Sequence, residues 1–467
     1  MRANWLQGCR STEHRGTRSD RWLLLYFLTE KEHLMTNRLQ VGIDFSQKQV
    51  DFCLLFPDGH PLESHVSFNN SCSGYDLAKQ LLLEALDAYA FDGLDISGEA
   101  TGYLWLPFFL QLAADPDLAP RHLDLFLLNP RWVKWFKKCF AEDHKCDEKD
   151  AFYIAERTRT LQPGVAWTPP ASLALRFYTR FRFHIVQNLA REKCYFSAFL
   201  FLKASAYRRV EPFSNVFGVT SGLVLTQQPS LDDLAALPVQ DLATQLYDLS
   251  GHHLSDPLEN ARKLQRVASE SFALDDALAL PVHRILELTL AHIRFLESQL
   301  QQVDQWIASE LVAYPEMVQL ATIPGVGPVF SSGIGAEIGD VQRFLQAPKW
   351  DKCRKRYRPR HLRDAEDAIA KIAGLWWPRA SSGDFEAQDR RLAKSGNRYL
   401  RYYLIQAANL MRQRIPEYQA YYARKYRESS KHHHKRALVM TARKSVGLIV
   451  GLLHRNEPYR SEEARRT

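Results

Sequence analysis

The chain is poor in cysteine, and none of its cysteines is spaced as a pair. Cys9, Cys53, Cys72, Cys139, Cys146, Cys194 and Cys353 are odd in number, scattered, and never in a Cys-x-x-Cys arrangement. That spacing indicates neither a disulfide framework nor a zinc site. Long apolar runs are also missing, since no stretch approaches the roughly eighteen apolar residues that a membrane span needs. Trp22–Leu28 is apolar and follows arginines, but it is short and has no small-residue cleavage site, so it does not read as an export signal. These absences point to a soluble, reducing, cytoplasmic setting without a membrane partner. Acidic residues are the minority charge, with 53 Asp and Glu against 61 Lys and Arg, net +8.

What is present is ample core material, 46% hydrophobic over 467 residues, enough for two to four domains. The basic excess is clustered. Lys349, Lys352, Arg354, Lys355, Arg356, Arg358, Arg360 and Arg363 face one acid, Asp351, and Arg424–Arg443 is similarly basic. Clustered cations favour a polyanion partner.

Residues 1–37 are arginine-rich and irregular, with Met35 a possible alternative start. From Leu39 the pattern predicts strands Leu39–Phe45, Val50–Phe56 and Leu62–Phe68, with a Pro57-Asp58-Gly59 turn after the second. A helix near Ser73–Leu86 follows, capped by Ser73. Then come strand 94–99, an apolar helix near Tyr103–Ala114, strand Leu123–Leu128, a break at Asn129-Pro130 and a helix carrying Asp147 and Asp150. Strand alternation is absent from 171 to about 320, where Leu286, Leu290, Ile293, Leu296, Leu300 and Val303 recur at helical steps. That stripe predicts a helical hairpin or short coiled coil, a spacer or an oligomerisation arm. Pro212–Ser230, rich in Ser, Gly, Pro and Gln, reads as a loop between helices.

Four acids in the first third bear on chemistry. Asp44 and Glu99 close two apolar strand runs, and Asp147 and Asp150 share one helix face at i, i+3. Carboxylates so placed can converge on Mg²⁺, a hard cation that takes oxygen ligands. Two such ions can clamp a phosphodiester in transfer. Each acid alone reads equally as a solvated surface charge. The β-β-β-α-β-α-β-α order with acids at the first and fourth strand ends and on the last helix is that of an RNase H-like (RuvC-like) α/β domain.

In the last third, Ile323-Pro324-Gly325-Val326-Gly327 precedes an apolar small-residue helix, Val329–Ile338. Such a turn resembles the helix-hairpin-helix class, whose backbone N–H groups meet a phosphate; an ordinary tight turn fits as well. Ser382-Gly383 in a loop places a hydroxyl where backbone approaches a ligand closely, although a turn role is the commoner use of such a serine. Arg390, Arg391, Lys394, Arg398 and Arg401 lie beyond it, and a helix Asn397–Arg412 suits docking on a phosphate backbone. His432-His433-His434, flanked by Lys431, Lys435 and Arg436, belongs to a basic helix rather than to a metal site.

Seven motifs occur in one order. They are Val41-Gly42-Ile43-Asp44, Gly98-Glu99-Ala100-Thr101-Gly102, Leu128-Asn129-Pro130, Lys145-Cys146-Asp147-Glu148-Lys149-Asp150-Ala151, Ile323-Pro324-Gly325-Val326-Gly327, Ser382-Gly383-Asp384-Phe385 and Lys394-Ser395-Gly396-Asn397-Arg398-Tyr399-Leu400-Arg401. In this the chain resembles the DEDD-type insertion-sequence transposases, the insertion-sequence 110 type, from about 39 to 455. The resemblance implies a RuvC-like domain over 38–165, a helical or coiled-coil assembly region over 171–315, and a mainly α transposase domain with an essential serine over 318–455, then a polar tail 456–467. It implies Asp44, Glu99, Asp147 and Asp150 as ligands of Mg²⁺ (or Mn²⁺), with Ser382 as nucleophile and Ser381 as its neighbouring rival. Gly325, Gly327, Arg391, Lys394, Arg398 and Arg401 would contact nucleic acid.

Further implications are DNA partners (element ends and target), a bridge RNA that specifies both, a homo-oligomer (dimer or tetramer), and a nucleoid-associated place in the cytoplasm. A RuvC-like nuclease acting by hydrolysis, or a non-catalytic nucleic-acid-binding protein, would carry several of the same residues. One departure is Lys349–Ala370, which reads as an extra basic insertion, a surface loop rather than an added nucleic-acid contact.

Overall fold

A computed structural model describes residues 37–139, 147–161, 166–227, 236–346, 348–351, 354–378, 381–382, 385–386 and 390–461. The basic extension before residue 37, Lys145-Cys146 and the end of the polar tail lie outside the described residues. The chain divides into two compact units at Pro169/Pro170.

The first unit is built on β1 (Arg38–Phe45), β2 (Gln49–Leu55), β3 (Pro61–Asn69), α1 (Cys72–Ala88), β4 (Gly93–Glu99), α2 (Leu106–Ala114), β5 (Leu123–Leu128), α3 (Pro130–Lys137) and α4 (Asp147–Leu161). Its five strands lie in the order β3-β2-β1-β4-β5. β1 pairs antiparallel with β2 and parallel with β4, and β4 pairs parallel with β5. This mixed sheet with helices is consistent with an RNase H-like domain. Central β1 is covered on both faces, with Leu39, Val41, Ile43 and Phe45 buried on one and Gln40, Gly42 and the half-buried Asp44 on the other. On one face Phe45 meets Phe108 of α2 edge-on at 6.0 Å, and Phe52 meets the same ring at a tilt at 5.8 Å. On the other, Cys53 and Leu55 pack with Ala151 and Ala155 of α4.

Two details differ from expectation. Ser71, not Ser73, caps α1, its hydroxyl accepting from Gly74 N at 3.2 Å, because the side chain one residue outside the helix is the one aimed at its free N–H groups. Asn129-Pro130 breaks the chain after β5 but also starts α3, with the Asn129 side chain accepting from Arg131 N and Pro130 in the first turn.

In the second unit α5 (Leu173–Lys203) and α10 (Asp276–Leu311) form an antiparallel hairpin. Its direction follows from the pairs Arg182–Asp304 at 2.5 Å and Lys193–Glu297 at 2.6 Å. Leu286, Leu290, Ile293, Leu296 and Val303 are buried, with Leu300 packed beside them, so the apolar stripe is covered within the chain. Short α6 (Tyr207–Val210), then α7 (Val219–Gln227), α8 (Val239–Leu249) and α9 (Pro257–Glu270) lie between them. The segment read as a loop from 212 to 230 thus contains α7. Its Val224 and Leu225 are buried despite the small and polar residues around them.

The remaining elements are α11 (Pro315–Ala321), α12 (Pro328–Ile338), β6 (Lys349–Asp351), β7 (Arg356–Arg358), α13 (Leu362–Ile372), β8 (Ser381–Ser382), β9 (Phe385–Glu386), α14 (Arg398–Arg414), α15 (Pro416–Glu428) and α16 (His433–Arg455). Helices α12, α13, α14 and α16 share one core, including Ile334, Ile369, Tyr403, Leu404, Val446 and Ile449. The Lys349–Ala370 reading as a surface loop is corrected. It holds the β6-β7 hairpin and most of α13, whose Ala365, Ile369 and Ala370 are buried. Among the described residues one helix, α16, is long and apolar enough to cross a membrane, and most of that apolar window is buried in this core.

Candidate metal centre

Alternation along a strand places every second residue on the same face. Asp44 therefore shares the α4 face of the sheet with Gly42. A side chain at Gly42 would come within 2.1 Å of Ala151 O and 2.5 Å of Ala155 N, so glycine is what lets α4 lie directly on β1. In β4 the parity runs the same way. A side chain at Gly98 would strike Phe45 and Phe109 on the α2 face, which leaves Glu99 on the α4 face beside Asp44. Asp150, in the first turn of α4, completes the approach.

The electrostatics record this convergence. Asp44 is pushed up to about 6 by burial and then by the neighbouring charges of Asp150 and Glu99. The cation Lys137 and a backbone hydrogen bond from Phe45 act the other way. Lys137 Nζ sits 2.7 Å from Asp150 Oδ2, reaching it from α3. Thr101 Oγ1 donates to Glu99 Oε1 at 2.7 Å and holds that carboxylate at the strand end. Below the acids, Ser97 and Thr158 hydroxyls meet at 2.5 Å in the core between β4 and α4.

Of the four acids singled out, Glu99 and Asp150 lie near enough to Asp44 for their charges to help raise its pKa. Asp147 is the first residue of α4, and its side chain lies outside the described residues. Among the described residues no three His, Cys, Asp or Glu side chains are close enough to hold a metal ion as they stand. The donor set nonetheless fits a hard divalent cation. It is all carboxylate oxygen, mutually repulsive enough to raise Asp44, and already attended by one ammonium group. Lys137 escaped the sequence reading because α3 did; the signal available was an Asn-Pro start followed by Lys at a helical spacing.

In the second unit Ser382 lies in β8, whose Ser381 and Ser382 pair with Glu386 and Phe385 of β9. The side chains of both serines lie outside the described residues. Gly325 adopts φ +92°, and a side chain there would meet Leu410 at 2.9 Å, so it is a packing and turn glycine. Gly327 caps α12, and nothing lies within 4 Å of where its side chain would be.

Asn397 caps α14, accepting from Tyr399 N and Leu400 N, while its own amide donates to Glu337 at 2.6 Å. Buried Glu337 takes both donors of Arg180 as well, at 2.7 and 2.9 Å. Arg401 donates to the carbonyls of Ala373 and Lys394, each at 3.0 Å, and burial lowers its pKa. Arg391, Lys394 and Arg398 are exposed, with Arg398 over the Tyr399 ring at 4.8 Å. His433 and His434 bond Tyr426 O and Tyr422 Oη at 2.9 and 2.7 Å as part of the basic α16 start.

Two family models match the chain. One, described as a transposase of the DEDD IS110 type, matches residues 41–202. The other, described as transposase IS116/IS110/IS902 family, matches residues 358–423. All four acids fall in the first match, and Ser382 with Arg391–Arg401 in the second. Gly325 and Gly327 lie in neither. No curated protein matches the chain.

Proposed function

From the premise that this chain belongs to the IS110-type transposases, we propose that it cuts and rejoins DNA through a Ser382 phosphoserine intermediate. Asp44, Glu99, Asp147 and Asp150 would hold Mg²⁺ or Mn²⁺. What supports the acid half of this reading is the placing of Asp44 and Glu99 on the face of the sheet where Gly42 lets the helix of Asp150 lie close, with Asp44 raised to about 6 by burial and by the charges of Asp150 and Glu99.

A divalent cation at such a centre supplies positive charge to the phosphate and eases loss of the hydroxyl proton. The other tasks fall to the chain. Ser382 Oγ attacks phosphorus, the bond to the 3′ oxygen breaks, and the serine proton balances the one the leaving oxygen takes up. The result is a 5′-phosphoserine and a free 3′-hydroxyl. Because the ester is kept, the reverse attack by another 3′-hydroxyl rejoins strands without ATP.

Arg391, Lys394 and Arg398 would neutralise phosphates near the serine, and Arg401 would shape their loop through Ala373 and Lys394. Gly325 and Gly327 would serve as a helix-hairpin-helix-like turn, with the open space at Gly327 taking a phosphate. A bridge RNA would read sequence by base pairing while the protein grips backbones. Assembly as a dimer or tetramer through the α5–α10 region, and work at the nucleoid, complete the reading, with domains divided at 38–165, 171–315 and 318–455.

The test is recombination of a donor and a target plasmid in Mg²⁺ with the element's own RNA. Asp44→Asn, Glu99→Gln and Asp150→Asn should each lower product at least about a hundredfold. Wild-type yield from all three would remove the acids from the reaction.

A further inference from the structure

Helix α3 is built inside out. Its one buried residue is Val133, which packs on Leu128 and Ile154, while Trp132 and Trp135 stay 53% and 59% exposed. A helix stabilised only by its own unit would bury indoles before a valine. Each ring instead has a guanidinium over it, Arg157 at 5.4 Å from Trp132 and Arg131 at 5.8 Å from Trp135. Arg157 is only 7% exposed, and its buried Nη1 has no hydrogen-bond partner. Arg131, Lys134, Lys137 and Lys138 supply the charge, with no acid between Pro130 and Lys138. Lys134 and Lys138 are exposed, whereas Lys137 turns inward to Asp150.

We propose that Trp132 and Trp135 form a stacking platform for unpaired bases of the DNA strand that enters the carboxylate centre. Arg131, Lys134 and Lys138 would hold its phosphates. This rests on the transposase reading for the identity of the strand. The chemistry selects a single strand, because indole faces offer stacking area to bases freed from a duplex, whereas a duplex offers mainly its phosphates. The place selects the strand being cut, because α3 touches Asp150 through Lys137. The arginines over the rings help fix their orientation and add to the positive field that draws the strand in.

Full-length protein in EDTA, titrated against fluorescent single-stranded DNA, the same sequence as duplex, and the same sequence as RNA, tests this by anisotropy. Trp132→Ala and Trp135→Ala should each weaken single-stranded DNA binding roughly five- to a hundredfold, with duplex binding nearly unchanged. Trp132→Phe and Trp135→Phe should retain most of the affinity, and thermal melts check that the variants fold. Equal losses on duplex, loss on RNA alone, or no loss would overturn the platform. Metal-free binding keeps the two ideas apart. Unchanged affinity in the tryptophan variants beside dead Asp44→Asn recombination rejects the platform only. Weakened affinity beside fully active Asp44→Asn rejects the metal-centre reading and leaves the platform standing.

Discussion

Asp44 is a carboxylate that folding makes harder to ionise. Its rise from 3.8 to about 6 corresponds to about 3 kcal/mol between protonation states, and solvent at this partly exposed site reduces that to roughly 1 kcal/mol. Because the folded pKa lies above the unfolded one, the stabilising contribution is full below about 4 and is lost as pH rises through about 6. In metal-free protein Asp44→Asn should therefore raise Tm at pH 8 and change it little at pH 4. Equal melting at both would show that burial and the neighbouring carboxylates do not hold Asp44 up. Ionisation of Asp44 across that window should strengthen cation binding there. That Asp44 and Glu99 close strands and Asp150 sits in the first turn of a helix was legible from residue order alone, since these are local patterns. Lys137 was hidden because Asn129-Pro130 reads as a break as readily as it reads as the helix start it is.

At the level of elements, glycine contacts decide what can approach what. Gly42→Ala would place a methyl against Ala151 O and Ala155 N. It should cost about 2 kcal/mol in urea denaturation of the chain and weaken Mn²⁺ binding measured by electron paramagnetic resonance, since α4 carries Asp150. Retained binding at wild-type strength would separate the helix position from the site. In the second unit Glu337 ties α12 to α5 through Arg180 and to α14 through Asn397. Arg180→Leu leaves that buried carboxylate without its cation and should destabilise by about 3 kcal/mol, and Arg180→Leu with Glu337→Leu should recover part of it.

The strands and long helices were readable because their periodicity is strong. The Lys349–Ala370 segment was not, because counting charge hides where charge is spent. Lys349 and Arg358 both bond Asp364, which they hold well below the usual carboxylate range, and the alanines of α13 pass for surface residues until they meet the core. The spacing Ala365-Ile369 was the signal overlooked. Ser71 and Ser73 are equally good caps by type, and only the turn geometry chooses between them.

For the whole molecule, the reaction proposed above calls on the acids of one unit and the serine of the other. Residue patterns suggested the acids, whereas Ser382 as nucleophile rested on the family resemblance, because a serine in a short polar segment reads locally as a turn residue. The most direct measurement is mass spectrometry of peptides after incubation with element-end DNA, its RNA and Mg²⁺. The account predicts a nucleotide-bearing peptide modified at Ser382, absent in Ser382→Ala, present in Ser381→Ala, and lost in Asp44→Asn. DNA cut to completion by wild type with no modified serine would contradict it and point to hydrolysis by water.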